Sequence, residues 1–323
     1  MINLRYHIVS LTAVFLALAI GVAVGTSFIN RATVDQLKRQ IHSAEKGIDQ
    51  TSQNNKALQA QLDQDRRGDD ALEVDAAARG VGSVSLADLP VLVVAADGVD
   101  RAQLDRVRSV LAAAGADLRG TLTLNASLGV QGGLSDDLSA AVGLPSKTPR
   151  PDAQRAAVRS VGRELDDAAT RKLESTSGAP ALLQRLLAAG FLGYQAPADS
   201  TLDATSVLAG GGYRYVFVSE PDVKVPDEDF LLPVLRVLAT DGSAPVVVAS
   251  AALGDDLEGT RVEVVGPIRN DQQLHDAVST VDDLERYEGL VAVVEAMADL
   301  DSDGPHGHYG FGDGADAILP APA

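Results

Sequence analysis

The stretch PVLVVAA, residues 90–96, is a short, continuously apolar run that is rich in valine. It lacks the polar–apolar alternation of a strand with one exposed face, so it predicts a strand that is buried on both sides of a sheet. Asp97 and Gly98 end the run with turn-forming residues. Asp100 can then cap a helix that extends through Ala114.

The residues after this helix repeat the alternation of strands and helices. Residues 116–124 are predicted to be a second strand, which makes a β-α-β unit with parallel strands and a right-handed crossover. We therefore expect an α/β domain with a mostly parallel sheet over residues 88–298, followed by a Gly- and Asp-rich tail over residues 299–323. Further strands are predicted at residues 213–219, 245–250 and 260–265, helices at residues 136–142, 151–173, 181–189, 229–239, 272–278 and 290–300, and a lead into a loop at residues 191–194.

Residues 8–29, IVSLTAVFLALAIGVAVGTSFI, contain no charged side chain and are apolar on every face. A helix needs about 20 such residues to cross the hydrocarbon core of a bilayer, so this stretch predicts a transmembrane helix in the lipid bilayer. A cleaved signal peptide is the alternative, because Ala23, Val24 and Gly25 lie near a plausible cleavage site. We favour a retained anchor, since the run is longer than a usual signal core.

The charges around this span predict its orientation. Arg5 and the amino terminus precede the span, and no acidic residue occurs before Asp35. The positive-inside rule then keeps residues 1–7 in the cytoplasm and places the rest of the chain outside it, although basic residues just after the span weaken the signal. Gly21 and Gly25 form a G-x-x-x-G pattern, which allows two spans to pack closely.

Residues 30–80 are predicted to form a coiled-coil stalk and a linker. Apolar residues recur there at alternating steps of three and four, which is the spacing of a heptad seam. We expect two chains to pair along this seam as a homodimer, with one buried amide that fixes the register. The alternative is an amphipathic helix that packs on the chain's own domain. The predicted seam residues are Val34, Leu37, Ile41, Ala44, Ile48, Asn55, Leu58 and Leu62.

Composition limits the ligands and the chemistry. The formal net charge is −18, and such a surface repels nucleic acid, so we expect no nucleic-acid partner. The chain has no cysteine, which excludes disulfides and thiolate metal sites. Aromatic residues make up only 4% of the chain, so alanine, valine and leucine must fill the core.

The motifs of common catalytic sites do not occur in the sequence. The predicted domain and tail contain three histidines, His275, His306 and His308, and no G-x-S-x-G elbow. The glycine run at residues 210–212 precedes a predicted strand, whereas a dinucleotide-binding loop follows one. We therefore expect a non-enzymatic protein with no certain cofactor, in which His275 is exposed to solvent.

The predicted tail holds candidate metal ligands. Asp299, Asp301 and Asp303 form a D-x-D-x-D-G pattern, which is the first half of a calcium-binding EF-hand loop. The twelfth position of that loop lacks the bidentate glutamate, so a complete calcium site is not expected. His306 and His308 add two imidazoles, which suit copper or zinc. The alternative is that these aspartates and glycines only form turns.

Three stretches resemble one protein family. They are LRYHIVSLTAVFLALAIGVAVG at residues 4–25, TVDDLE at residues 280–285 and GHYG at residues 307–310. Together with the predicted coiled coil, they resemble the MctB family, actinobacterial envelope proteins named for copper transport. The resemblance spans nearly the whole chain. It implies a role in copper homeostasis, copper as the ligand and an outer-membrane location.

The residues also fit a structural adaptor. A single span, an external coiled coil and a non-catalytic domain resemble proteins that control cell-wall remodelling or cell separation through a membrane or cell-wall partner. The two hypotheses differ in their mutational sensitivity. A copper role predicts that Asp299, Asp301, His306 or His308 is essential, whereas an adaptor role predicts that breaking the seam, for example with Ile41→Pro, abolishes function.

Overall fold

The computed structural model describes the residues of the main helices and of the sheet. The described ranges are 6–25, 85–129, 136–171, 181–198, 200–220, 223–224, 227–241, 244–250, 264–301 and 306–321, with Lys38, Ile41, Lys46, Ile48, Thr51, Ser52 and Lys56 as single positions. The chain divides into two compact units, Met1–Asp69 and Asp70–Ala323.

The first unit contains helix α1, Tyr6–Gly25, which has 20 residues and a mean hydropathy of 2.5 over its most apolar window. None of that window is buried inside the protein. At 1.5 Å per residue the helix is about 30 Å long, which matches the hydrocarbon core of a bilayer. Helix α1 is therefore long and apolar enough to cross a membrane. The predicted span continues to residue 29, and residues 26–29 lie outside the described residues.

Two residues of the predicted dimer seam are described. Ile41 and Ile48 lie in helical backbone and are 49% and 68% exposed. The coiled coil and the homodimer stay predictions, because the other seam residues lie outside the described part of the chain. Those residues are Val34, Leu37, Ala44, Asn55, Leu58 and Leu62.

The second unit is built on a seven-stranded sheet. Its strands are β1 Pro90–Ala96, β2 Asp117–Leu124, β3 Leu192–Gln195, β4 Arg214–Ser219, β5 Val246–Ser250, β6 Ser279–Val281 and β7 His308–Tyr309. Their order is β3-β2-β1-β4-β5-β6-β7, and every neighbouring pair is parallel except β2 and β3. The order reverses between β1 and β4, as in doubly wound folds. The predicted α/β domain with a mostly parallel sheet is confirmed.

Helices cover both faces of this sheet. Helices α4 and α7 pack together on one face, and α2 and α10 pack together on the other. Leu92 and Val94 of β1 face the first layer, whereas Val91 and Val93 face the second. A strand covered on both faces needs an apolar residue at every position, which explains the uninterrupted run in β1. The helices are α2 Arg101–Ala113, α3 Asp136–Ala141, α4 Arg150–Thr170, α5 Ala181–Ala188, α6 Ala204–Ala209, α7 Leu231–Asp241, α8 Val265–Asn270, α9 Gln272–His275 and α10 Tyr287–Asp301, with a 3₁₀ turn at Ala126–Leu128.

Several predicted element boundaries are wrong. Residues 191–194 do not simply lead into a loop, because Leu192–Gln195 forms the antiparallel edge strand β3. Val265 begins α8 instead of ending a strand, while residues 260–263 lie outside the described residues. The helix predicted over residues 272–278 ends at His275 and is followed by β6. Strands β3 and β6 are short, so pairing with a neighbour defines them more than their own composition does.

The segment predicted to be a tail contributes to the sheet. Helix α10 continues to Asp301, and His308–Tyr309 then forms β7 parallel to β6. The backbone N–H of Gly310 donates to the carbonyl oxygen of Ala317 at 2.9 Å, so the chain folds back after β7. This arrangement places the GHYG motif beside the TVDDLE motif.

Candidate functional site

The carboxyl ends of β1 and β4 lie where the strand order reverses, which is where doubly wound sheets commonly bind ligands. In this protein, the polar groups near these two strand ends form an ion pair and a hydrogen bond with one another. Lys224 Nζ donates to Oδ1 of Asp97 at 3.0 Å, and the backbone N–H of Asp100 donates to Oε2 of Glu220 at 3.1 Å. These contacts tie the loop after β4 to the loop after β1.

The glycine run at residues 210–212 lies at the amino end of β4. The backbone N–H of Gly212 donates to the carbonyl oxygen of Ala168 at 2.8 Å, and a Cβ on Gly211 would crowd Arg171. The run therefore packs closely against the end of α4, away from the carboxyl edge of the sheet.

A buried polar cluster lies between β6, β7 and α8, and we call it the polar hub. Arg269 Nη1 and Asp282 Oδ2 are 2.8 Å apart, and each side chain is only 2% exposed. The carboxylate also accepts the backbone N–H of Phe311 at 2.7 Å and that of Gly312 at 3.0 Å. These donors compensate for the removal of the carboxylate from water. The hub consists of Arg269, Thr280, Asp282 and His308.

The guanidinium of Arg269 connects the remaining groups of the hub. Its Nε donates to Oγ1 of Thr280 at 3.0 Å, and its Nη2 donates to the carbonyl oxygen of Tyr309 at 2.9 Å. The same Oγ1 lies 2.8 Å from Nδ1 of His308. The planar donor fork of arginine thus holds α8 against both strands.

The polar hub contains residues of two of the three stretches that carry the family resemblance, TVDDLE and GHYG. The backbone N–H groups of Thr280 and Asp282 donate to the carbonyl oxygens of Gly307 and Tyr309 at 3.0 and 3.1 Å. Gly310 has a φ of 127°, and a Cβ there would overlap the carboxylate of Asp282. A Cβ on Gly307 would overlap the ring of Tyr309. Only glycine fits at these two positions without a shift of its neighbours.

A second carboxylate lies next to the hub. Asp283 is 8% exposed and has a φ of 59°, a left-handed conformation that is uncommon outside glycine. Burial and the neighbouring Asp282 raise the pKa of Asp283 to about 6. Its carbonyl oxygen accepts the backbone N–H of Arg286 at 2.9 Å, so this turn leads directly into α10.

Three histidines lie on α9, on β7 and on the segment that leads into β7. The rings of His275 and His308 have centroids 4.1 Å apart and planes inclined by 51°. Nδ1 of His306 is buried and has no hydrogen-bond partner among the described residues, whereas the side chain of His308 lies against Oγ1 of Thr280 and the backbone of His275. Nδ1 of His306 is therefore a polar atom that is removed from water without a partner in the described part of the chain, which is costly.

Burial keeps two of these rings neutral. Burial and His275 lower the pKa of His308 to about 4, and burial lowers the pKa of His306. Asp316 and the backbone of His275 favour the protonated form of His308 but do not reverse the shift. A neutral imidazole has one nitrogen with a free lone pair, which is the form that binds a metal ion.

The predicted metal ligands are separated in the structure. Asp299 lies on α10, on the face of the sheet opposite the imidazoles, and Asp301 accepts from Arg214 Nη2 at 2.6 Å. Asp303 lies outside the described residues. No group of three or more His, Asp or Glu side chains is placed to hold a metal ion within the described ranges. The two predicted histidines, His306 and His308, remain close to each other on the segment that forms β7.

Sequence analysis missed the roles of Arg269, Thr280 and His275. His275 is exposed to solvent through 43% of its side chain, as predicted, but the sequence did not indicate that its ring contacts His308. One signal was present in the sequence. The two adjacent acidic residues of TVDDLE lie between apolar residues, so a carboxylate buried there needs a buried cation as its partner. Nothing in the sequence indicated which arginine supplies it.

Known proteins resemble this chain over almost its full length. Relatives from Mycobacterium tuberculosis and Mycobacterium bovis, each described as copper transporter MctB, are 27% identical to it over 330 aligned residues, covering 98% of this chain and 99% of each relative. The family model described as "Copper transport outer membrane protein, MctB" matches residues 1–320. Because that match includes α1, the α/β sheet and both motifs of the polar hub, this protein belongs to the MctB family.

Proposed function

We propose that this protein is a membrane-anchored envelope protein that acts in copper transport or copper homeostasis and is not an enzyme. The observation that carries the proposal is the family match over residues 1–320, together with relatives that are described as copper transporters. The chemistry of the chain limits how copper is contacted. With no cysteine, imidazole and carboxylate groups are the ligands at hand.

We further propose that α1 anchors the chain in the cell membrane with its amino terminus in the cytoplasm. Arg5 before the helix and the absence of acidic residues before Asp35 support this orientation. The α/β domain then lies outside the cytoplasm, where its acidic surface attracts cations. The family description names the outer membrane, so separation of the two membranes by density-gradient centrifugation is the direct test of location.

A deletion strain tests the copper role. Cells without the gene, wild-type cells and complemented cells are grown over a copper series, and cell-associated copper is measured by mass spectrometry. A change in copper content or copper tolerance that complementation reverses supports the proposal. Identical copper content and tolerance in all three strains would exclude it, and zinc content measured in parallel is the control for specificity.

A dimeric adaptor for cell-wall remodelling or cell separation is the second candidate function. The observation that favours it is the exposure of Ile41 and Ile48, which lie in helical backbone and belong to the predicted heptad seam. In-cell cross-linking of wild type and Ile41→Pro distinguishes the candidates. Loss of both the cross-linked dimer and normal cell separation, with copper tolerance unchanged, would favour the adaptor over the copper role.

A further inference from the structure

We propose that the turn of residues 282–286 is a pH-sensitive switch, which stays closed on α2, α10 and the segment after β7 while Asp283 is protonated and opens when Asp283 ionises. The turn joins β6 to α10 and begins with the adjacent acids Asp282 and Asp283. The inference goes beyond the proposed copper function and does not depend on it, because it concerns only contacts within the α/β domain.

The first argument is the unequal support of the two adjacent carboxyl groups. Asp282 is 1% exposed, and its carboxylate accepts from Arg269, Phe311 and Gly312. Asp283 is 8% exposed, and its carboxyl shares a hydrogen bond with that of Asp282. An ionised carboxylate only accepts hydrogen bonds, so two of them can bond to each other only if one is protonated. Because Asp282 is already paired with Arg269, we assign the proton to Asp283.

The charges of the turn itself favour this protonated form. The pKa of Asp283 is raised to about 6, chiefly by burial, then by the negative charge of Asp282 and by the hydrogen bond between the two carboxyls. Glu285 adds to this shift, whereas Arg286 opposes it. Ionisation of Asp283 therefore places a second negative charge in a buried position beside Asp282.

The charged groups of the neighbouring elements have other partners. Nη1 of Arg269, on α8, lies 2.8 Å from Oδ2 of Asp282. Nη2 of Arg106, on α2, donates to the carbonyl oxygen of Glu285 at 2.6 Å. The first turn of α10 contributes an acid, Glu288. Neither guanidinium is therefore held in reserve for an ionised carboxylate in the turn.

The second argument is the backbone of the turn. Asp283 has a φ of 59°, a left-handed conformation that is costly for a residue with a side chain. A Cβ on Gly289 of α10 would overlap the carbonyl oxygen of Asp283, so the helix packs directly on the backbone of the turn. Such a conformation persists only while the surrounding contacts hold it. Repulsion between two carboxylates would thus act on a segment that is already strained.

The third argument is that the turn connects several parts of the domain. The backbone N–H of Leu284 donates to the carbonyl oxygen of Ser250 at 3.2 Å, which ties the turn to β5. The guanidinium carbon of Arg286 lies 4.8 Å from the centre of the Phe311 ring, which ties the turn to the segment after β7. The contact of Arg106 ties it to α2. Opening the turn releases these contacts together, so the protonation of one carboxyl affects the packing of α10.

The test is amide hydrogen exchange of the full-length protein in lipid nanodiscs, measured by mass spectrometry at several pH values. Exchange rates are divided by the intrinsic rate at each pH to give protection factors. The pKa of Asp283 exceeds its ordinary value of 3.8 by about two pH units. We therefore expect the protection of residues 284–288 to fall by up to about 100-fold as the pH rises from 4 to 7. Constant protection of these residues over that range would overturn the proposal.

Two variants remove the titrating carboxyl. Asp283→Asn and Asp283→Gly both fit the left-handed backbone, so each should fold. In both, the protection of the turn should stay high at pH 7 and should no longer depend on pH. A pH dependence that persists in these variants would show that another group controls the turn and would overturn the proposal.

Asp299→Asn is the matched control. Burial also raises the pKa of Asp299, but this residue lies near the other end of α10. The variant removes a carboxyl of the same kind and should leave the pH dependence of the turn unchanged. If it abolished the pH dependence as fully as Asp283→Asn does, the effect would be general to the domain and the assignment to the turn would be wrong.

Discussion

Asp282 shows at the scale of one residue how a polar group is kept in the core of this domain. Its carboxylate accepts from Arg269 and from two backbone N–H groups, and it is 1% exposed. Removing one member of a buried ion pair is far more damaging than removing an exposed one, because the remaining charge is left without a partner.

We predict that Asp282→Ala lowers the free energy of unfolding by about 3–5 kcal/mol, since Arg269 would stay buried without its partner. Urea unfolding of the full-length protein, followed by circular dichroism, measures this loss. Asp301→Ala is the matched control, because its pair with Arg214 is half-exposed, with side-chain exposures of 42% and 24%. The control should cost no more than about 1 kcal/mol. Equal losses of unfolding free energy in the two variants would show that the buried Arg269–Asp282 pair stabilises the domain no more than an exposed pair does.

Asp283 gives a pH-dependent prediction. Its pKa in the folded protein, about 6, exceeds the ordinary value of 3.8, so the folded state holds a proton that the unfolded state releases. Stability contributed by this group is complete below about pH 4 and is lost as the pH rises through 6. Asp283→Asn should therefore be more stable than the wild type at pH 7 and equal to it near pH 4. Asparagine also tolerates the left-handed backbone conformation of this position.

The comparison is made by urea unfolding at several pH values. Asp203→Asn is a control with the opposite sign, because hydrogen bonds from Ser206 lower the pKa of Asp203, and the stability it contributes is lost as the pH falls. A stability difference for Asp283→Asn that does not change between pH 4 and pH 7 would contradict the prediction.

At the scale of elements, β7 closes the edge of the sheet and completes the polar hub. Its backbone accepts from Thr280 and Asp282. We predict that ending the chain after residue 305 unfolds the α/β domain, because the Arg269–Asp282 pair would be exposed at a broken edge. Limited proteolysis of membranes that contain the truncated protein checks this. Removal of residues 322–323 alone is the control and should leave the proteolysis pattern unchanged, whereas resistance of the longer truncation would show that the segment is dispensable.

Helix α1 carries its own prediction at this scale. Apart from the backbone of α1 itself, no atom of the described residues lies within 4 Å of a Cβ added to Gly21 or Gly25, so the small-residue face has room for a second helix. We expect Gly21→Leu and Gly25→Leu to weaken self-association of the span in a membrane two-hybrid reporter. Ala23→Leu, on the opposite face of the helix, should leave the signal unchanged. An equal signal from all of these variants would exclude packing through the glycines.

At the scale of the whole molecule, the prediction concerns topology. An apolar α1 with Arg5 before it is expected to keep the amino terminus in the cytoplasm and to export the α/β domain. Alkaline phosphatase fused after Ala323 should therefore be active, since this enzyme requires export, and the same fusion without residues 1–25 should be inactive. An inactive full-length fusion that is produced in normal amounts would reverse the proposed orientation.

Elements whose own residues specify them were predictable from the sequence. Strand β1 is apolar at every position because both its faces are covered, and the side chain of Asp100 accepts from the backbone N–H of Ala102 at 3.0 Å, which confirms the predicted cap of α2. Helix α1 is apolar on all faces, whereas a helix on the surface of a soluble protein has a polar face toward water. These signals are local, because each one comes from consecutive residues of the sequence.

Strands β3, β6 and β7 and the candidate site were decided by tertiary structure. A strand of two to four residues has little composition of its own to recognise, and it exists because a neighbour supplies hydrogen bonds to it. The sequence placed His306 and His308 together but not His275, which is more than 30 residues away and reaches them only when α9 packs beside β7. By itself the sequence determined the apolar helix α1, the α/β class and the family motifs. Only the fold decided which arginine neutralises Asp282 and which imidazoles meet, because contacts between distant residues depend on how the elements pack.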